Sequence, residues 1–428
     1  MLLLLGALFF ARPASAYSVL AHEAMIDMAW DQVIAPMLKA RFGSADSAAI
    51  KSARAYAYGG SVMPDMGYYP FGSHFFTNLL HYTRSGDFVE TLIRDARDVN
   101  EYAFALGALA HYVADSTGHP LGVNRAVPVE YPKLRAKFGN EVTYVEDPKR
   151  HIMVEFAFDV VQVANGTYLP QAYHDFIGFQ VATSLLERAF RETYGIEMKD
   201  VFASQDLAVG TFRYAVGTVI PQMTQVAWEK KRDEIEKVSP SVQRSTFVYT
   251  YTRQQYNTDF GTMYQRPGVF ARFFVWVVRV LPKIGPFKAL AFKAPNAEAE
   301  HLFIDSFKTS RDRYRAQLDA VRDNRLDLRN TDFDTGQLTR RGEYPLADDT
   351  YAELLDRLSS PQPLTVPAAM RADIMRFYGN VESTGVRNKK ERRKIEKIQV
   401  ELAQLGAATA SRATDQKALP RYGSIRPK

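Results

Sequence analysis

Apolar residues recur at helical spacing through most of the chain. Residues 19–40, which open VLAHEAMIDMAW, carry them at three- and four-residue intervals with few strand signals, the pattern of a helix with one buried face. Residues 100–117, NEYAFALGALAHYVADST, repeat it. They start at Asn100, a predicted N-cap, and stop before Gly118 and Pro120, where His119 is expected to leave helical geometry. A third predicted helix has Asp147 as N-cap and Pro148 in its first turn, and runs to about Gly166. Residues 174–198 and 204–237 continue the pattern, and alternating strand runs are nearly absent. The expected fold class is all-α.

Three stretches break the rhythm. Residues 54–74, RAYAYGGSVMPDMGYYPFGSH, hold paired glycines, two prolines and four tyrosines, and read as an aromatic loop that lines a site or folds back on the core. Residues 269–292, VFARFFVWVVRVLPKIGPFKALAF, are very apolar with four interleaved cations, which fits either a core helix or a helix lying in a membrane interface. Residues 321–350 are polar and turn-rich, and 386–428 read as a basic, disordered tail. At the front, LLLLGALFF is too short to cross a bilayer and is followed by Ala14-Ser15-Ala16, a signal peptide ending in an A-x-A site cut before Tyr17. The expected plan is therefore a signal peptide over 1–16, a catalytic domain over 17–240, a mostly helical C-terminal extension over 241–385 and the tail over 386–428. The mature protein is expected to be exported, either secreted or periplasmic, with membrane association through 269–292 as an option.

Composition narrows the chemistry. The chain has 428 residues, 46% of them apolar, and a formal net charge of +6. VRNKKERRKIE, residues 386–396, holds much of that excess, which leaves the body close to neutral. There are no cysteines, which excludes disulfides, thiolate ligands and a cysteine nucleophile. Any metal must be held by His, Asp, Glu or backbone groups.

Of eight histidines, six precede residue 152, and several keep regular company with carboxylates. His111 and Asp115 stand four apart on one predicted helix, and His151 and Glu155 repeat that spacing on another, so each pair shares a helix face. A single such pair is more often an ordinary hydrogen-bonded pair than a metal site. Here the two pairs come with His22, Asp65, His74, His81 and His119. His174 and His301, read as lacking partners at metal spacing, are taken as structural.

The ordered set Tyr17, His22, Asp65, His81 (or His74), His111, Asp115, His119, His151 and Glu155 resembles the zinc-dependent phospholipase C superfamily, which includes the single-strand-specific nucleases. The resemblance covers roughly residues 17–237. It implies three zinc ions in one cleft, with Tyr17 binding through its free α-amino nitrogen and carbonyl oxygen once the leader is removed. By the same resemblance, Asp115 bridges one ion held by Asp65, His81 and His111 and another held by Tyr17 and His22, while His119, His151 and Glu155 hold a third. The step from Asp115 to His119 is two residues shorter than the family's, and Tyr17 stands where the family has Trp.

The implied activity is phosphodiester hydrolysis by zinc-bound hydroxide attacking phosphorus, with Asp65 as candidate general base. Phospholipid is the expected substrate, with Tyr56, Tyr68 and Tyr69 as weaker headgroup-binding candidates and Tyr58 beside them. A single-strand-specific nuclease or nucleotidase, acting on nucleic acid, is the alternative, and a non-catalytic metal-binding module a third reading. No obligate protein partner is implied.

Overall fold

The computed structural model describes residues 19–165, 179–216, 293–359, 366–379 and 388–413, with short stretches between 228 and 244. The leader, Tyr17, His174 and residues 269–292 lie outside the described residues. Among the described residues the fold is all-α, and the one strand-like feature is an isolated antiparallel bridge between Thr331 and Leu338. No described helix is long and apolar enough to cross a membrane.

In chain order the helices are α1 (Val19–Ala29), α2 (Ala35–Arg41), α3 (Ser47–Val62), α4 (His74–Tyr82), α5 (Ser85–Asp95), α6 (Val99–Gly118), α7 (Asn124–Glu130), α8 (Pro132–Phe138) and α9 (Pro148–Asn165). There follow α10 (Thr183–Tyr194), α11 (Met198–Val201), α12 (Gln205–Tyr214), α13 (Ala297–Arg322), α14 (Pro345–Leu358), α15 (Ala368–Tyr378) and α16 (Lys389–Ala413).

Helix α6 is the axis of the molecule. Phe104, Leu106, Leu109 and Ala110 are fully buried, as expected of a helix enclosed on all sides. Each large side chain among them contributes about 1.5–3 kcal/mol by leaving water. The helix starts at Asp98, whose Oδ1 accepts from the Asn100 and Glu101 amides at 2.9 Å each. The cap therefore falls two residues before the expected Asn100. The predicted cap at Asp147 holds, since its Oδ1 accepts from the Arg150 amide at 3.0 Å.

The expected aromatic loop over 54–74 is mostly helix. Helix α3 runs through Gly59-Gly60 to Val62, and a 3₁₀ turn, Met63–Tyr68, follows directly. The glycines are there for proximity rather than for a turn. A Cβ at Gly60 would collide with the Phe104 carbonyl on α6, and one at Gly107 with the Ala57 carbonyl on α3. Lacking both, the two helices pack backbone to backbone.

His119 does not leave the helix either. The chain continues through a π-helical turn, His119–Val123, into α7 despite Pro120, because a widened turn accommodates a proline that a regular one would not.

One hydrophobic core takes residues from both sides of position 240. Phe303 on α13 stacks on Phe158 of α9 at 4.4 Å, and the Tyr314 hydroxyl donates to the Leu106 carbonyl at 2.9 Å. The disordered tail expected over 386–428 is helical over its described part, Lys389–Ala413. Its charges masked an apolar stripe in which Ile395, Ile398 and Leu405 are buried. Lys394 and Lys397 pair with Asp349 and Asp356 of α14 at 3.0 and 2.7 Å. Exposed pairs of this kind add little, so the stripe holds the helix down.

Candidate metal centre

Helices α1, α4, α6 and α9, with the 3₁₀ turn and the π-helical turn, bring eight of the nine predicted ligands into one buried region. His22, His111, Asp115 and His151 expose none of their surface, and Asp65, His81, His119 and Glu155 expose no more than 2%. Tyr17, the ninth, lies outside the described residues. Of the two candidates on α4, His81 turns inward and His74 is exposed.

The side chains form two groups. In the first, Asp115 on α6 is the hub. His111 Nε2 lies 3.0 Å from its Oδ2, His22 Nε2 3.3 Å from its Oδ1 and His81 Nε2 3.6 Å from its Oδ2. Asp65 approaches His81 Nε2 at 3.4 Å. The His22 and His111 rings stack at 4.3 Å. Two sets of three donors, His22/His111/Asp115 and Asp65/His81/His111, have ligand atoms within 4.8 Å of one another, and they share His111.

Backbone carbonyls aim this group. His111 Nδ1 donates to Ser61 O at 2.8 Å, an approach that the Gly60–Gly107 crossing permits one turn away, and His81 Nδ1 donates to Thr77 O at 2.9 Å. Both rings thus turn Nε2 inward, the nitrogen that a metal would take. Thr77 also fixes Asp65: its hydroxyl donates to Pro64 O at 2.7 Å and accepts from the Gly67 amide at 2.8 Å, pinning the 3₁₀ turn to α4.

In the second group, His151 Nδ1 lies 2.7 Å from Glu155 Oε1 and His119 Nε2 lies 4.0 Å from the same oxygen. The other nitrogen of each ring faces a different neighbour. His151 Nε2 donates to Asn124 Oδ1 at 2.9 Å, and His119 Nδ1 sits 2.9 Å from Asp334 Oδ1. Asp334 comes from the turn-rich stretch after α13, and the sequence reading gave it no role.

Burial and mutual charge perturb the whole set. His22 is lowered to about 4 by burial and by the neighbouring His111, and His151 to about 3 by burial and by His119. For His81 burial pulls the other way from its two carboxylate neighbours, Asp115 and Asp65, which prevail and push it up to about 10. Burial, reinforced by Asp115 and Asp65, raises Glu155 well above the usual carboxylate range. Asp115 falls well below that range because His111 and His22 outweigh its burial.

These residues fit a divalent cation. His111 Nε2, both Asp115 oxygens, both His119 nitrogens, His151 Nδ1 and both Glu155 oxygens are buried without a geometrically sound hydrogen bond among the described residues, although they face one another or Asp334 at 2.7–4.0 Å. Buried polar atoms left in that state are costly. Atoms that converge without hydrogen bonding are arranged around a common centre. An all-nitrogen and oxygen donor set suits zinc.

The tyrosines divide. Tyr68 lies beside the first group, its ring 6.2 Å from that of His81. Tyr69 packs on Phe212 at 4.5 Å, and the Tyr58 hydroxyl donates to Asp27, which also pairs with Arg54 at 2.7 Å, so both are committed to structure. The charges acting on the half-buried Tyr56 are Arg213 and Asp98, not the histidine groups. His301 does have a carboxylate at metal spacing, since Asp305 lies one turn on at 3.0 Å, but the pair stands in solvent.

Residues 21–204 match the zinc dependent phospholipase C family. No curated protein and no solved structure matches the chain. The eight described ligand candidates fall within the matched span, and Asp334 falls beyond it.

Proposed function

We propose that this protein is an exported, zinc-dependent phospholipase C that cleaves the phosphodiester of a phospholipid. The observation that carries the proposal is the pair of three-donor sets sharing His111, buried within the span that matches this family. Export is supported by the apolar leader and its A-x-A site. His22, Asp65, His81, His111 and Asp115 would hold zinc in the first group, together with the Tyr17 terminus. His119, His151 and Glu155 would hold it in the second.

Bound there, zinc supplies acidified water and neutralises charge on phosphoryl oxygens. The chain does the rest. Neutral His22 and His151 present lone pairs at any physiological pH, because their protonation lies far below it. Asp65, on a turn pinned by Thr77, stands at the edge of the first group and is the carboxylate best placed to take a proton from the attacking water. Tyr68, with its ring 6.2 Å from that of His81, is the tyrosine beside this group that would meet a quaternary ammonium headgroup.

The test is turnover by the zinc-loaded, leader-free protein of a chromogenic phosphocholine diester, single-stranded DNA and a phosphomonoester. Cleavage of the phosphocholine diester, abolished by chelation and restored by zinc, is expected. Cleavage of DNA alone would replace the lipid substrate with nucleic acid, and no turnover on any substrate would leave a binding module.

A further inference from the structure

We propose that Asp334 is a positioning residue for the His119–His151–Glu155 group, so that the C-terminal extension completes a metal site whose ligands all lie in the span that matches the family. The inference rests on the zinc reading above and adds to it a residue outside the matched span.

Asp334 holds both imidazoles at once. Its Oδ1 faces His119 Nδ1 at 2.9 Å, which leaves His119 Nε2 for the metal side. Its main-chain carbonyl accepts from Asn124 Nδ2 at 2.7 Å, and Asn124 Oδ1 accepts in turn from His151 Nε2 at 2.9 Å. An amide can donate at one end and accept at the other only in this sense, so His151 carries its proton on Nε2 and turns the Nδ1 lone pair towards Glu155. One residue thus sets the tautomer of two rings, and a carboxylate or carbonyl behind a metal-bound imidazole raises its basicity as well.

Asp334 is itself held on every side. The Tyr82 hydroxyl donates to its Oδ2 at 2.8 Å and the Tyr344 hydroxyl donates to the same oxygen, which reserves Oδ1 for His119. Its amide donates to Asp332 Oδ1 at 2.8 Å, and the Asp332 amide to Gln337 O at 2.8 Å, so the segment forms a closed turn. The Phe333 amide ties that turn to His81 O at 3.2 Å. Gly336, with φ of 69°, closes it where any Cβ would strike the Ser116 carbonyl of α6. The carboxylate is 3% exposed, too buried for a surface role.

Zinc titration of the full-length protein tests this, using wild type, Asp334→Asn and Asp115→Asn. Asp334→Asn should weaken one class of zinc site about 10–100-fold, the usual cost of removing such a partner, and leave unchanged the class that Asp115→Asn abolishes. Equal zinc affinities in wild type and Asp334→Asn would overturn the inference and leave the enzyme reading standing. A wild-type chain that binds no zinc would remove that reading and the inference with it.

A second measurement needs no variant. In zinc-loaded protein with ¹⁵N-labelled histidine, His119 should be protonated at Nδ1 and liganded through Nε2. Zinc bound through Nδ1 would overturn the inference even if Asp334→Asn failed to fold.

Discussion

The two histidine groups use the same residue types and are held in opposite ways. In the first, two of the three imidazoles are aimed by main-chain carbonyls, Ser61 O behind His111 and Thr77 O behind His81. In the second, side chains do the aiming, Asn124 behind His151 and Asp334 behind His119. A backbone carbonyl cannot be mutated away, so the first group is as robust as the packing of its helices. The second depends on the identity of two side chains, one of them 215 positions beyond its histidine in the chain. Its donors are also less evenly spaced, with His151 Nδ1 at 2.7 Å and His119 Nε2 at 4.0 Å from the same Glu155 oxygen.

The largest effect should come from the hub. Asp115→Asn or His111→Ala should lower kcat/KM by ~10³-fold or more, about 4 kcal/mol of transition-state stabilisation, with loss of bound zinc measured on the same sample. His301→Ala, altering an exposed surface pair, should change neither. An equal loss in His301→Ala would show that burial does not separate ligands from bystanders.

Next comes the packing beneath the first group. Gly107→Ala places a methyl against the Ala57 carbonyl and forces α3 from α6, at a cost of about 3 kcal/mol in chemical denaturation of the metal-free protein. Because Ser61 O moves with α3, zinc held by the first group should weaken while the second keeps its affinity. Weakening of both alike would dissolve the distinction between them.

The smallest effect, counted per pH unit, is a dependence on pH. Without metal His81 holds its proton up to about 10, so zinc must displace that proton at any lower pH. His22 and His151, already neutral above about 4 and about 3, have none to give. Apparent zinc affinity of the first group should therefore rise by up to about tenfold per pH unit between pH 6 and 9, with a proton released on binding. Competition titrations, and calorimetry in two buffers of different ionisation enthalpy, would expose a flat profile.

What could be read from the sequence follows the reach of each interaction. The His111/Asp115 and His151/Glu155 pairs were legible because four residues make about one helical turn, and the Asp147 cap because its partner lies three residues on. Gly59-Gly60 misled because a glycine pair that permits helix contact reads like one that permits a turn. Thr77 carries no charge and fits no motif, yet it holds Asp65 and orients His81. Asp334 looked like one more polar residue in a turn-rich stretch, since nothing local points to His119. The tail was misread for the converse reason, its lysines and arginines outnumbering a stripe of three buried residues.

The widened turn at His119–Val123 bears on how such proteins are compared. It stores slack: a helix that swells for one turn and then resumes can gain or lose residues there without disturbing what lies before it. Position along the chain is then an unreliable ruler for any ligand after the swelling. The four residues from Asp115 to His119 precede the swelling and keep ordinary helical spacing, whereas counts carried past it do not.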